Sequence, residues 1–227
     1  MSYPETSRFG ALPSATGGIT RLAYAQALAA GADVKRLLER AGLSRQQIDD
    51  PNVRLNVRDQ IAFLNLAADA LQDDLLGFHL AQPVELRELG LVYYVSASSQ
   101  TLREALQRTA RYSSIINEGV ALNYLNDKDV RIAFRYVGVS RHLDRHQMEF
   151  FATALVRVCR QLTGLRITPT RVRFTHRRHA LSSEFSDIFG DDVEFGSMVD
   201  EISFADNGRS PTALGYSSAT SAGTESP

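Results

Sequence analysis

The spacing of apolar residues changes once along this chain, from a helical period near 3.6 to a period of 2. Helical spacing dominates residues 19–116, and alternation of apolar and polar residues follows in residues 120–136. A helical period places apolar side chains on one face of a helix, whereas alternation places them on one face of a strand. The pattern therefore predicts a helical half followed by a half that combines strands with helices.

Glycine, proline and capping residues divide the first half into successive helices. Helices are predicted at residues 19–31, 33–42, 44–50, 56–71, 75–81, 86–96 and 102–116. The last of them follows a stretch of small polar residues, and Thr101 with Glu104 forms a T-x-x-E capping box at its start. Residues 89–117 therefore join the helical half to the strands, which makes them a candidate hinge.

The second half predicts a sheet with helices on its apolar face. Two alternating runs, residues 120–125 and 130–136, flank the turn sequence NDKD and indicate a β-hairpin. A long helix is predicted at 144–164, a short helix at 181–189, and strands at 170–175, 193–195 and 201–204. The predicted fold class is α+β, with the N-terminal helical half packed with a mostly antiparallel sheet covered by helices.

Three segments follow from this pattern. Residues 1–18 are rich in Ser, Pro, Gly and Thr and predict a flexible leader, whereas residues 19–205 form one domain. Residues 206–227 lack periodicity and most charge, so they predict a disordered, low-complexity tail.

Composition excludes several classes of protein. The 227 residues include 25 basic and 26 acidic side chains, and a net charge of −1 gives no electrostatic reason to expect nucleic acid or a membrane as partner. Cys159 is the single cysteine and lies on an apolar helical stripe, which favours a buried hydrophobic role. No signal peptide and no run of 18 apolar residues is evident, so a cytoplasmic protein is expected.

Residues 34–48 imitate a DNA-binding helix-turn-helix, with Gly42 at the position of the turn glycine. A recognition helix would have to continue through position 51 to reach a major groove. Pro51 stops it there, so a structural pair of short helices is the favoured interpretation.

The histidines offer little for metal binding or catalysis. His176 and His179 have H-x-x-H spacing, but the two residues between them are arginines, which indicates a solvated basic loop, and His142 and His146 are interpreted in the same way. His79 resembles a helix-face histidine with satisfied hydrogen bonds. No nucleophile elbow, phosphate-binding loop or zinc-protease motif is present, so no catalytic residue, metal or cofactor is predicted.

A small-molecule pocket needs apolar walls and a few convergent polar groups. Such groups are expected where the buried helix, the polar stretch after it and the hairpin meet. The candidate ligand-binding residues are Tyr93, Tyr94, Ser96, Ser98, Tyr112, Asn117 and Arg135. Adjacent tyrosines on one helix cannot both face one cavity, and each candidate also fits a purely structural role.

The order of these segments resembles the N-terminal, arabinose-binding-like sensor domain of AraC-type transcriptional regulators. The resemblance covers about residues 19–204. It rests on GADVKRLLERAGL, DDPNVRLNV, DDLLGFHLAQ, LGLVYYVSASSQTLREALQRTARYSSIINEG, TRVRFTHRRH and IFGDDVEFGSMVDEISF.

The resemblance implies a domain that binds a small effector and helps the regulator to dimerise, with no enzymatic activity. In that family a C-terminal domain with two helix-turn-helix units binds DNA. Here the low-complexity tail stands in that place, so a truncated regulator is expected, with DNA bound only through a domain absent from this chain. Two other functions stay open: an interaction protein that forms heterodimers with a full-length regulator, and a small α+β enzyme.

Overall fold

The computed structural model describes residues 12–126, 129–137, 144–178 and 182–205. The helices are α1 (Gly18–Ala29), α2 (Val34–Ala41), α3 (Arg45–Asp49), α4 (Val57–Leu71), α5 (Leu76–Ala81), α6 (Leu91–Ala97), α7 (Leu102–Tyr112), α8 (Arg145–Thr163) and α9 (Ser183–Phe189), with 3-10 turns at Leu86–Leu89 and Ser113–Ile115. The strands are β1 (Ser14–Ala15), β2 (Leu55–Asn56), β3 (Val120–Asn126), β4 (Val130–Tyr136), β5 (Arg171–Phe174), β6 (Val193–Phe195) and β7 (Asp200–Phe204). The predicted α+β class is confirmed.

The main sheet has five strands in the order β3-β4-β7-β5-β6. The predicted hairpin is present, since β3 and β4 pair antiparallel from Val120 opposite Tyr136 to Asn126 opposite Val130. Only β6 runs parallel to its neighbour β5. Along β4, Ile132 and Phe134 are buried while Arg135 is exposed, so one face of the strand points to the core as the alternation predicts.

Helix α8 holds the two halves of the domain together. Phe150 and Ala154 on this helix pack into the core of the N-terminal helices. Met148 and Leu155 pack into the second core, which lies between the helices and the sheet. Because one helix buries side chains in both cores, the two halves form one packed unit, as the sequence predicts.

The structure corrects the boundaries of two predicted helices. Residues 86–96 do not form one helix, because Gly90 has φ 63° and ψ −133° and separates a 3-10 turn from α6. The helix predicted at 102–116 ends at Tyr112, where a 3-10 turn leads towards β3. Its capping box is also only half formed: Thr101 accepts from the Glu104 N–H at 3.1 Å, but the Glu104 carboxylate accepts from the Gln100 N–H at 2.8 Å.

The pair of helices that imitates a helix-turn-helix is confirmed as a structural feature. Helix α3 has five residues and ends before Pro51, and Leu38 and Ile48 are buried in the core of the helical half. A helix of this length is too short to cross a major groove, so the interpretation based on Pro51 holds.

The segment before α1 packs against the domain. The sequence assigned residues 14–18 to a flexible leader, whereas the structure pairs β1 with β2 and buries Ala15. Backbone pairing with a distant strand is not visible in a short polar segment, which explains the difference. Three of the predicted segments lie outside the described residues: the leader up to residue 11, the tail, and the centre of the hairpin turn.

Candidate functional site

A pocket of about 80 Å³ lies where α6, α7, the β3–β4 hairpin and α8 meet. Helix α8 supplies one wall with Phe150, Phe151, Ala154, Leu155 and Val158. These residues follow helical spacing, so they share the face of α8 that looks towards the hairpin. This wall is wholly apolar.

The opposite walls are also mainly apolar. The hairpin contributes Val120, Leu122 and Phe134, and α6 contributes Val92 and Tyr93. The hydroxyl of Tyr93 accepts a hydrogen bond from the Gln161 side chain at 2.9 Å, so its polar end already has a partner on α8.

Besides Tyr93, three residues that line the pocket carry hydroxyl groups: Ser96, Thr109 and Ser113. The oxygens of Ser96 and Thr109 lie 2.8 Å apart, so one hydroxyl donates to the other, and each oxygen also lies within hydrogen-bond distance of the backbone carbonyl four residues earlier, at 2.7 and 2.8 Å. Ser113 donates to a carbonyl three residues earlier at 3.1 Å. Each hydroxyl hydrogen is therefore used within the protein, while acceptor capacity remains on the oxygens.

Asn117 forms the most polar part of the pocket and is 2% exposed. Its side-chain oxygen accepts from the Gly119 N–H at 2.8 Å, which fixes the orientation of the amide. Its Nδ2 donates one hydrogen to Gln147 Oε1 at 3.3 Å. The second Nδ2 hydrogen has no acceptor within the described part of the chain.

Gln147 extends this contact into the helical half. Its Oε1 also accepts from Gln60 Nε2 at 2.6 Å, and Gln60 Oε1 accepts from the Thr20 hydroxyl at 3.1 Å. Gln147 Nε2 donates to the Tyr136 hydroxyl at 2.7 Å. We call Asn117, Gln147, Gln60 and Thr20 the buried amide chain, because these four residues connect the pocket through α8 and α4 to α1.

Three of the seven residues predicted to bind a ligand line this pocket: Tyr93, Ser96 and Asn117. They come from α6 and from the segment that joins α7 to β3. The joining segment 89–117 therefore contributes both the apolar and the polar part of the pocket.

The other four predicted residues lie elsewhere. Tyr94 is 55% exposed on the outer side of α6, and Ser98 is exposed and accepts from Arg108 at 2.7 Å. The ring of Tyr112 lies beside the Arg111 guanidinium. Arg135 is exposed on the face of β4 opposite to Phe134, so it brings no charge to the pocket.

Sequence reasoning missed Thr109, Ser113 and the whole wall from α8. The apolar stripe of α8 was visible as a core-facing pattern, but periodicity does not distinguish a stripe that packs fully from one that borders a void. Thr109 and Ser113 follow Ala105 at helical spacing, which was the available signal for the hydroxyls.

In the predicted basic loop, the side chains of His176 and Arg178 are not solvated, so the prediction is wrong for these two residues. Glu149 on α8 is fully buried, and its carboxylate lies 2.8 Å from His176 Nε2. Arg178 donates to both carboxylate oxygens at 2.8 Å and also binds Asp74. A buried carboxylate on the facing helix, which spacing along the chain cannot reveal, draws the basic residues inward.

This pairing controls the ionisation of Glu149. Burial alone would raise the pKa of the carboxyl group, but hydrogen bonds from His176 and Arg178 outweigh it and lower the pKa below its usual value. Glu149 therefore stays charged and holds the loop after β5 against α8. The role is structural.

The remaining histidines have different environments. His146 is 2% exposed, and burial lowers its pKa to about 4, which corrects the prediction of a solvated residue. His79 lies 2.8 Å from both Asp73 and Glu184. Burial opposes a charge on the imidazole, but the hydrogen bonds to these carboxylates outweigh burial and raise the pKa of His79. The prediction for His79 is confirmed, whereas His142 and His179 lie outside the described residues.

Metal and thiol chemistry find no support in the described ranges. No group of three or more potential ligands from His, Cys, Asp and Glu comes together there. Cys159 is fully buried, and burial raises the pKa of its thiol to about 12, so the group is protonated. The prediction that it acts as a buried small hydrophobic residue is confirmed.

Comparison with protein families identifies the class. A family model described as the N-terminal arabinose-binding domain of AraC transcription regulators matches residues 31–208. The match covers most of the chain, so the chain belongs to this family and carries the sensor domain of a transcription regulator.

No curated protein matches the chain, and no helix-turn-helix domain is found in it. Within the described ranges, none of the helices combines the length and the apolar composition needed to cross a membrane.

Proposed function

We propose that this domain binds a small-molecule effector in the pocket between α6, α7, the hairpin and α8, and thereby acts in the regulation of transcription. The observation that carries the proposal is the position of the pocket. Its walls come from the joining segment, from the sheet and from α8, which packs into both cores. Tyr93, Ser96 and Asn117 are the proposed contacts from the predicted set.

An effector at this position would touch α6, α7, the hairpin and α8 at the same time. A ligand shifts a conformational equilibrium only by the difference in its affinity for the two states. An occupant wedged between α6 and α8 changes its contacts whenever these helices shift, so it meets this condition. The buried amide chain would extend such a shift from Asn117 to α4 and α1.

A thermal-shift screen over amino acids, sugars, fatty acids and small aromatic compounds tests the proposal. Ligand at 100 times its Kd adds about 2.7 kcal/mol to the free energy of unfolding. For a domain of this size we expect the Tm to rise by roughly 5–10 °C, since 1 kcal/mol corresponds to about 2–4 °C.

Two matched variants locate the site. Ala154→Leu adds three carbon atoms to the pocket wall and should abolish the shift, whereas Ala70→Leu places the same side chain on the exposed face of α4 and should retain it. A screen in which no compound moves the Tm of the wild-type protein would contradict an effector-binding role.

We also propose that two copies of the chain associate, on the basis of family membership. Sedimentation equilibrium should then give a mass near twice the 25.1 kDa of one chain. A single species of 25.1 kDa across the micromolar range would rule this out. Co-purification with a full-length regulator would instead favour the heterodimer that the sequence left open.

A further inference from the structure

We infer that the effector is an uncharged, mainly apolar molecule that offers one hydrogen-bond acceptor to Asn117, rather than a sugar, an amino acid or a carboxylate. The inference rests on the proposed function, because it takes the pocket described above as the effector site. It concerns the chemistry of the occupant and departs from the sugar that the description of the family model names.

Charge is the first criterion. None of the residues that line the pocket is Asp, Glu, Lys, Arg or His. Arg135, which the sequence suggested as a charged contact, is exposed on the other face of β4. An ion that leaves water for such a site loses its hydration without gaining a counter-charge, so carboxylates, ammonium groups and phosphates are disfavoured.

Hydrogen-bonding capacity is the second criterion. The hydroxyl hydrogens of Ser96, Thr109 and Ser113 are all used within the protein, on a backbone carbonyl or in the contact between Ser96 and Thr109, so these three groups can accept from an occupant but do not donate to it. Asn117 keeps one Nδ2 hydrogen beyond the one given to Gln147. The free side-chain donors of the lining are therefore this Asn117 hydrogen and the hydroxyl hydrogen of Tyr93, whose oxygen accepts from Gln161; such donors suit a ketone, aldehyde, ester or ether oxygen.

Hydrogen-bonding capacity also argues against a sugar as the occupant. Each hydroxyl of a pentose needs partners when it leaves water, and a buried polar group without a partner opposes binding. The acceptors in the pocket are three hydroxyl oxygens on one side, while α8 and the hairpin present only carbon. Most of the hydroxyls of a sugar would face those apolar walls.

Size is the third criterion, and it points to α6. An engineered protein cavity of about 150 Å³ holds benzene, so a pocket of about 80 Å³ needs extra room for a six-membered ring. Helix α6 has seven residues, follows the turn at Gly90, and exposes Leu91 and Tyr94 on its outer side. Within this inference the extra room comes from a shift of α6, because α8 is held in both cores.

Four probes of similar size separate these criteria in titrations followed by methyl NMR. Acetophenone is neutral and carries an acceptor, ethylbenzene lacks the acceptor, benzoate is charged and L-arabinose is a sugar. We expect acetophenone to bind about 3- to 10-fold more tightly than ethylbenzene, the ratio that one hydrogen bond supplies. Benzoate and L-arabinose should not bind at the same concentrations.

Variants assign the contacts. Ala154→Leu should abolish binding of both neutral probes, and Ala70→Leu should leave it unchanged. Asn117→Ala should remove the preference for acetophenone while ethylbenzene still binds, and that binding reports that the pocket is intact. If Asn117→Ala does not fold, the inference is tested by the ranking of the four probes on the wild-type protein.

The outcomes are distinguishable from failure of the proposed function. Binding of benzoate or L-arabinose that Ala154→Leu abolishes would overturn the inference and leave the proposed function standing. Equal affinities for acetophenone and ethylbenzene would overturn the role of Asn117. Absence of binding by either neutral probe would overturn the inference, whereas only a broad screen without any response overturns effector binding.

Discussion

Buried polar residues in this domain differ in how completely they are paired. Glu149 is satisfied by His176 and Arg178, which hold its charge inside the protein. Asn117 is satisfied on its oxygen but keeps a spare hydrogen that borders an apolar pocket. A buried polar group whose hydrogen bonds are all satisfied is typical of a structural role, whereas a spare donor beside a void can form its remaining hydrogen bond with a ligand.

His146 should make the domain sensitive to mild acid. Its pKa is about 4 in the folded protein and about 6.5 in an unfolded chain. Between these values the unfolded state binds a proton that the folded state does not, so the free energy of unfolding falls as the pH decreases from about 6.5 to 4. We expect a loss of roughly 3 kcal/mol over this window, measured by urea unfolding at several pH values.

Glu149 and His79 also have shifted pKa values, but they change the free energy of unfolding mainly outside that pH window. Glu149 has a lowered pKa, so its contribution is lost only as the pH falls through that low value. His79 has a raised pKa, so its contribution is complete below about 6.5 and lost at higher pH. His146→Gln should therefore flatten the slope, and an unchanged slope would assign the acid sensitivity to another group.

At the scale of elements, α5 and α8 approach each other closely at Gly77. A Cβ atom at Gly77 would lie 1.8 Å from the backbone oxygen of His146, so only glycine allows the two backbones to meet. Gly77→Ala should lower the free energy of unfolding by about 3 kcal/mol or more, because backbone atoms cannot yield as a flexible side chain does. Chemical denaturation measures the change.

Gly18 in α1 provides the matched control for this substitution. A Cβ atom there would meet nothing within 4 Å, and the backbone is helical. Gly18→Ala should therefore stabilise the protein by up to about 1 kcal/mol, since alanine restricts the unfolded chain. Similar effects of the two substitutions would show that the contact between α5 and α8 is not decisive.

Most elements were predictable from local patterns, and the errors fall where tertiary contacts decide. Alternation correctly predicted the hairpin because each side chain of a strand faces either the core or the solvent. The predicted helix over 86–96 was wrong, since the turn at Gly90 interrupts a run whose apolar residues continue on both sides. A glycine within an apolar run does not reveal its φ angle from sequence.

At the scale of the whole molecule, Gln147 connects the two halves. It bonds to Gln60 in the helical half and to Asn117 and Tyr136 in the sheet half. Gln147→Met keeps the volume but removes the shared acceptor of two buried amides, Gln60 and Asn117, and the donor to the Tyr136 hydroxyl. Because an unpaired buried polar group costs about 1–3 kcal/mol, we expect a loss of about 3 kcal/mol or more in urea unfolding.

Gln161 on the same helix is the control for that prediction. It is exposed, and its amide donates to Tyr93 alone. Gln161→Met should therefore cost less than about 1 kcal/mol, because water can replace the lost hydrogen bond. Equal losses at the two positions would mean that Gln147 contributes no more than a surface glutamine.

Arginine shows the limit of sequence reasoning in the same way. The chain has 23 arginines, and composition assigned none of them a particular role. In the structure, the guanidinium of Arg21 donates to the backbone carbonyls of Thr16, Gln47, Ile48, Asp50 and Val53. A group with five N–H donors can bind several loop carbonyls, but the chain must fold before these carbonyls come together.

The sequence by itself determined the α+β class, most elements, the family resemblance and the segment that borders the pocket. These features follow from local periodicity and from the order of segments, which are properties of the chain. Only the tertiary structure decided that Tyr93, Ser96 and Asn117 share a pocket with α8. It also decided that Tyr94 and Arg135 face solvent. The burial of His176 against Glu149 is a third feature of this kind. Such contacts join residues far apart in the chain, so they depend on packing that no local pattern contains.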